Sequence, residues 1–288
     1  MKKNRMKKNL NSKVKVFLML MAVLIAICLG VSPISYSQEA TPSAESEQPT
    51  AKTPERPTIN FNNSFYSQYI WRGYELSHNS FVMFPTVTVT YKGFSLNWWG
   101  DIDTDYAGEP EGVQCWEQDY LAWYSNSWKK LNYTIGYIHY NTKNHAHWDT
   151  QEMWVSLGLN TLLSPTFSVW YDIEDSGSWY YNLAVSHSIP ISKERVCWKN
   201  DLSLDLGGSV AYYWQDDWTK VKVNYSAWHD GHIWAGLKIP LTDVCSITPK
   251  IEYSFPLSHK ANDNIKAASF DGNDSQFVYG GLILDYNF

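Results

Sequence analysis

Outside a short leader this chain has no long apolar run, so nothing in it offers a spanning helix. The leader's own uncharged stretch, Val16 to Leu29, falls short of the roughly 20 residues a helix needs to cross a bilayer. Basic residues are scarce as well. Seven of the 23 (Lys2, Lys3, Arg5, Lys7, Lys8, Lys13 and Lys15) precede that stretch, which leaves 16 against 29 acidic residues and a mature balance of −13. So acidic a chain is a poor partner for nucleic acid. From Glu39 to Pro57 there is no aromatic residue, only Pro, Thr, Ser, Glu, Ala and a few others, too little apolar surface to offset ordering. Before residue 66 a single Trp or Tyr occurs, Tyr36, although the whole chain holds 15 Trp and 20 Tyr.

These absences divide the chain. Residues 1–37 have the basic head, apolar middle and small-residue end (Ser35-Tyr36-Ser37) of a secretory signal. Ile27, before Cys28, is too large for a lipoprotein cleavage site. Residues 38–57 read as a disordered periplasmic tail. Residues 58–288 form one unit of a size common for an all-β barrel.

Within that unit the apolar residues alternate. Val278, Gly280, Leu282, Leu284, Tyr286 and Phe288 share one face of the last segment, and Tyr279, Gly281, Ile283, Asp285 and Asn287 the other. The same period predicts twelve strands, at about 60–72, 82–91, 94–103, 115–124, 130–140, 150–160, 165–174, 178–190, 200–214, 231–241, 246–256 and 276–288. Most are long enough to cross a bilayer at the usual tilt.

A third absence decides between a membrane barrel and a soluble sandwich. The apolar register carries Phe61, Phe65, Tyr69 and Trp71 on the first strand, Trp116 and Tyr120 on the fourth and Ile251, Tyr253 and Phe255 on the eleventh. It holds no Asp, Glu, Lys or Arg on any strand. The opposite register carries eleven acids with Arg72, Lys238 and Lys250. A basic group facing lipid near the midplane costs roughly 2–4 kcal/mol, so this exclusion is what a bilayer imposes. The expected fold is a single-chain antiparallel transmembrane β-barrel of about twelve strands. Tyr286 and Phe288 resemble the terminal signal by which Gram-negative outer-membrane barrels are inserted, which places the chain in the bacterial outer membrane with its lipids and the barrel-assembly machinery as partners.

Short connections (Lys92-Gly93, Asn126 to Lys129, Thr161 to Ser164, Thr242 to Cys245) alternate with longer ones such as Gln215 to Asp230 and Leu257 to Ser275. Short periplasmic turns and long outer loops are the membrane-barrel asymmetry. The ninth connection holds its own alternating piece, Val221, Val223 and Tyr225. The opening segment Ser67-Gln68-Tyr69-Ile70-Trp71-Arg72-Gly73 resembles the aromatic-X-aromatic-Arg-Gly strand of Gcw_chp, an uncharacterised Gram-negative barrel-like family. The resemblance implies a signal peptide and an outer-membrane barrel, and assigns no activity.

On this topology Asp101, Asp103, Glu117, Asp119, Glu152, Asp172 and Glu174 ring the outer half of the lumen, with Arg72 at their height. Two readings stay open: a cation-attracting vestibule, or a salt-bridge network that fills a narrow barrel. Inward-facing Trp99, Trp123, Trp154 and Trp234 leave open whether the bore is filled. His145 and His147 form a His-X-His pair that would bind a transition metal if a third ligand converged, but nothing fixes one; exposed loop histidines are the expectation, and no cofactor is expected. His78-Asn79-Ser80 has the His-Ser spacing of outer-membrane phospholipases, which it resembles, but Phe81-Val82 departs from the Asn-Gly that follows the Ser there. His187 and Ser188 lie on opposite faces, so no enzyme is expected. Cys197 and Cys245 fall in neighbouring periplasmic connections of an oxidising compartment, where a bridge and two free thiols are both open. The sequence thus predicts a passive pore or small-solute uptake channel that prefers cations. The alternative is a non-conducting surface barrel whose Trp-rich outer loops bind a ligand or partner.

Overall fold

The computed structural model describes residues 56–78, 80–104, 113–142, 149–174, 177–191, 202–215 and 224–288. Among them twelve antiparallel strands close into a barrel. In chain order these are β1 (Thr58–Tyr66), β4 (Val82–Tyr91), β5 (Phe94–Asp103), β6 (Gln114–Trp128), β7 (Leu131–Thr142) and β8 (Thr150–Leu159), then β9 (Thr166–Asp172), β10 (Trp179–Ile191), β11 (Leu202–Gln215), β12 (Tyr225–Pro240), β13 (Cys245–Pro256) and β14 (Phe277–Asn287). A two-residue pair, β2 (Ile70–Trp71) and β3 (Tyr74–Glu75), stands apart from the wall.

Each wall strand pairs with its neighbours in sequence, and β1 closes the ring between β4 and β14, with Phe61 opposite Tyr286 and Phe65 opposite Leu282. Closure leaves no open sheet edge. Phe288 completes it: its N–H donates to the Ile59 carbonyl at 2.8 Å, Ile59 N–H donates back at 3.0 Å, and its ring meets Phe61 edge-on at 6.1 Å.

The wall is apolar outside and polar inside. Phe94 and Leu96 are 67 % exposed and Ile251 59 %, and Ile135, Ile233 and Val278 extend the same outer belt. Water-soluble monomers do not expose contiguous apolar surface on this scale; a barrel whose outer solvent is lipid does. Among the described residues no helix is long and apolar enough to cross a membrane. Aromatic and basic side chains mark the short-turn end: Lys92 Nζ lies 5.1 Å from the Tyr91 ring and Lys129 Nζ 5.0 Å from Trp128. Lys92 (φ 50°) and Gly93 (φ 84°) make the two-residue turn between β4 and β5 that suits the natural twist of a hairpin.

The first strand departs from its expected course. Alternation through Trp71 predicts a strand over 60–72 with Tyr69 and Trp71 towards lipid, yet β1 stops at Tyr66 and the chain then leaves the wall. Its last wall bond there runs from Ser67 N–H to the Gly280 carbonyl at 2.9 Å. Arg72 (φ 48°) and Gly73 (φ 81°) then form a second two-residue turn, which folds β2 back on β3 and carries both aromatic residues inside. Trp116 also faces inward rather than to lipid, because a bulge sets Asp101-Ile102 of β5 against Glu117 and Cys115 of β6 and buries the residue between them.

Two outer connections differ as well. β12 begins at Tyr225, so Tyr225–Asp230 belongs to the wall rather than to the ninth loop; Val221 and Val223 lie outside the described residues. The connection from Leu257 to Ser275, expected to be a polar loop, holds helix α1 (His259–Ala268). Ser258 caps it by accepting from Ala261 N–H at 3.2 Å. Ala261 and Ile265, one turn apart, are its buried face, and α1 packs on β12, β13 and β3.

Candidate functional site

The β2–β3 hairpin crosses the lumen. Tyr69 meets Phe84 of β4 at 5.0 Å and Trp99 of β5 at 5.7 Å, and Trp71 meets Tyr140 of β7 at 6.0 Å. Arg72 reaches Glu152 of β8, Trp170 of β9 and Tyr180 of β10, while Tyr74 meets His229 of β12 at 5.0 Å. A segment this short touches strands on every side only if it lies within the ring. Helix α1 backs it, with Tyr74 Oη donating to Asn264 Oδ1 at 2.6 Å and Ile265 beside Gly73. At the hairpin's foot Leu76 N–H donates to the Tyr69 carbonyl at 2.9 Å, and Gln68 Nε2 donates to Glu75 Oε1 at 2.7 Å. Burial pushes the Glu75 carboxyl above its ordinary value, against the bonds it accepts from Phe270 N–H and Gln68.

Arg72, at the tip, is the anchor. Its guanidinium makes a two-pronged pair with Glu152, Nη1 to Oε1 at 2.7 Å and Nη2 to Oε2 at 2.6 Å, and Tyr140 Oη donates to the same carboxylate at 2.9 Å. The charge sits 4.4 Å from the Trp71 and Tyr180 ring centres and 5.6 Å from that of Trp170. Burial, the largest single effect, opposes that charge, but Glu152, Tyr140 and Tyr180 together outweigh it and hold Arg72 above its ordinary value. Removing one partner of such a buried pair costs about 3–5 kcal/mol, because the other is left charged and unpaired.

The inward acids are where the alternation predicts, but their surroundings differ from an open mouth. Asp101 and Asp103 are fully buried, and Glu117, Asp119, Glu152 and Asp172 nearly so. The hairpin and the segment leading out of it cover them: Tyr69 Oη donates to Glu117 at 3.2 Å, and Ser80 Oγ donates to Asp103. Among the described residues neither Asp101 oxygen makes a hydrogen bond, nor does Asp119 Oδ1. Glu174 is not in the lumen. β9 ends two residues earlier, and Glu174 sits exposed at the rim, accepting from Gln151 Nε2 at 2.7 Å. No group of three or more His, Cys, Asp or Glu among the described residues is placed to hold a metal ion.

A second polar knot on the wall was missed. Glu252 accepts from Tyr66 Oη at 2.7 Å, from Lys250 Nζ at 2.8 Å and from His232 Nε2 at 2.7 Å. The visible signal was Lys250 and Glu252 two residues apart on the inward register. Inward indoles pack on one another and over glycines of the neighbouring strands. Trp154 stacks on Trp170 at 4.7 Å and lies flat across Gly136 on the neighbouring strand, where a Cβ would fall 2.3 Å from its ring; Trp234 covers Gly207 in the same way, at 2.4 Å. Beneath the hairpin a cavity of about 410 Å³ remains, and at the short-turn end one of about 570 Å³ lined by Ser188, Asp205, Trp234 and Lys238 among others.

The remaining candidate residues do not gather into a site. His78 stacks on Phe270 at 5.1 Å while Ser80 is held by Asp103, and His187 and Ser188 contact Leu162 and Asp205 respectively. Among the described residues Cys115 and Cys245 form no disulfide, while Cys197, His145 and His147 lie outside the described residues.

No family model and no curated protein matches the sequence. Among the solved structures that do match, a NanC porin is 13% identical over 79% of this chain and 98% of its own, with a TM-score of 0.48. An outer membrane channel from Pseudomonas putida F1 is 7% identical over 84% of this chain and 100% of its own, with a TM-score of 0.43. OprD of Pseudomonas aeruginosa is 8% identical over 81% of this chain and 94% of its own, with a TM-score of 0.30.

Proposed function

We propose that this chain is a bacterial outer-membrane channel for small solutes, cation-preferring and gated by its own inserted hairpin. The carrying observation is that the wall closes without the hairpin. β1 pairs with β4 and β14 along its length, whereas Ile70 to Glu75 pair only with each other and meet the wall through side chains. Moving the hairpin therefore breaks no rung of the ladder. Arg72, the basic residue of the outer lumen, is already neutralised by Glu152, so the remaining inward carboxylates set the sign of the field a passing ion meets. The Tyr69–Gly73 segment that underlies the Gcw_chp resemblance is then a gate rather than an opening strand, and that resemblance is our ground for grouping the chain with the family.

A second reading has an observation of its own. Hairpin, α1 and stacked indoles together pack the outer half of the bore, as in a surface barrel that does not conduct. Single-channel recording in planar bilayers separates the two. The Tyr69 carbonyl and Leu76 N–H are already bonded, so residues 69–76 can be excised and the ends joined. Brief small openings in the unaltered protein and larger, sustained ones after excision are expected. Silence in both would refute the channel, and silence in the unaltered protein alone would favour the closed surface barrel.

A further inference from the structure

Directly opposite Trp99 on β5 stands Asp119 on β6, and directly opposite Asp119 stands Tyr140 on β7. The three side chains share the inward face, so the wall carries a carboxylate flanked by two aromatic rings at one level. The hairpin supplies a matching pair from the other side, with Tyr69 5.7 Å from Trp99 and Trp71 6.0 Å from Tyr140. All five residues line the 410 Å³ cavity, a volume in the range of small-ligand sites. No lysine, arginine or histidine lines it. Asp119 is only 5 % exposed, and its Oδ1 makes no hydrogen bond among the described residues. A buried carboxylate oxygen without a donor is costly unless something brings it positive charge.

We propose that this cavity is a binding site for a small substituted ammonium ion. Its cationic head is held between the Trp99, Tyr140, Tyr69 and Trp71 rings and set against Asp119. Ring faces attract such a head because their quadrupole is negative, and the attraction is strongest where water is excluded. An inorganic cation needs several oxygen ligands; of the two carboxylates lining the cavity Glu252 is already paired with Lys250 and His232, which leaves Asp119 as the one acid without a basic partner among the described residues. An acidic solute would find no basic partner. A neutral sugar could stack on the rings but would bring no positive charge to Asp119. Because two of the four rings ride on the hairpin, occupancy holds the gate shut around its ligand, and release accompanies opening.

This site names a solute class for the channel proposed above, yet its test does not depend on conduction. Isothermal titration of the full chain in detergent is run with choline, with 3,3-dimethylbutan-1-ol (the same shape without charge) and with maltose. Choline is expected to bind, and the neutral alcohol at least about tenfold more weakly. Asp119→Asn and, separately, Trp71→Leu should each weaken choline by about tenfold or more. The second change lies outside the barrel wall, so it keeps the test open should the first fail to fold, with heat-modifiable migration as the folding check. Equal affinity for choline and the alcohol, tighter binding of maltose, no heat with choline, or an unchanged affinity in folded Trp71→Leu would each overturn the site. Choline binding to a barrel that never conducts would leave the site standing and remove only the channel.

Discussion

Replacing Arg72 tests whether a single ion pair holds the hairpin in the lumen. In Arg72→Ala the Glu152 carboxylate keeps Tyr140 as a hydrogen-bond donor but loses both guanidinium bonds. The buried pair's single-partner cost, about 3–5 kcal/mol, falls on the docked state alone, because an undocked hairpin leaves Glu152 free to hydrate. At 1.4 kcal/mol per factor of ten, the odds of docking should drop by roughly two to three and a half orders of magnitude. Alanine also disfavours the left-handed turn at φ 48°, so Arg72→Asn, whose side chain tolerates that conformation, isolates the charge. Arg72→Lys keeps the charge but loses the planar fork and its stacking, and should fall between. Arg72→Ala combined with Glu152→Ala should be milder than Arg72→Ala alone, since no orphaned charge is left.

The readout is open probability in single-channel records, with heat-modifiable migration confirming a folded barrel. Arg72→Asn should raise it strongly. Selectivity supplies an independent sign: removing Arg72 frees the charge of Glu152, so the reversal potential under a salt gradient should move towards greater cation preference. That preference should shrink as the Debye length falls from about 10 Å at 0.1 M salt to about 3 Å at 1 M. Neutralising Asp101, Asp103, Glu117 and Asp119 together should weaken it. Records of Arg72→Asn identical to those of the unaltered protein would refute the anchor, and an anion-selective reversal potential would refute the role given to the acids.

Three further outcomes are expected. Deleting Phe288 removes two backbone bonds to Ile59 and the contact with Phe61, so insertion should fall sharply while export persists; normal membrane levels of heat-modifiable barrel would count against this. Gly136→Ala places a methyl 2.3 Å from the Trp154 ring, itself stacked on Trp170, and should destabilise the barrel by about 1–3 kcal/mol, seen as a lower heat-modification temperature. Burial raises Glu75, so the docked hairpin holds this proton more tightly than an undocked one. Docking is then strongest below the ordinary carboxylate value and weakens as pH rises through the raised one. Open probability should climb over that interval and lose the Glu75 share of the climb in Glu75→Gln; an identical pH response in the variant would rule this out.

The barrel was legible because lipid and lumen impose one rule on every strand. Val89, Leu96, Ile135 and Ile251 could be assigned to the outer face, and Asp101, Glu152 and Glu252 to the inner, without knowing any partner. Helix α1 was less visible. Its signals, a Ser cap and the Ala261–Ile265 spacing, amount to one buried turn among polar residues, too few apolar positions to stand out from a loop.

The hairpin was hidden for a different reason. Alternation reports that successive side chains point to opposite sides, and Phe61, Phe65, Tyr69 and Trp71 keep one register whether the chain stays in the wall or turns inward. Only the turn distinguishes the two, and here an arginine stands where asparagine or aspartate usually signals it. That choice makes sense once the lumen is considered. Asparagine would relieve the strain at φ 48° but could not span to β8, whereas Arg72 turns the chain and delivers a charge to Glu152. A local cost at the turn is thus offset by a contact 80 residues away, which no short-range pattern contains. The same holds for the aromatic box, since Trp99, Asp119 and Tyr140 become neighbours only through strand register, and Tyr69 and Trp71 join them only after the hairpin folds. On the proposed reading, the residues that would recognise a solute are divided between a wall fixed by its ladder and an insert held by the Arg72–Glu152 pair together with ring contacts and the hydrogen bonds of Tyr69 and Tyr74.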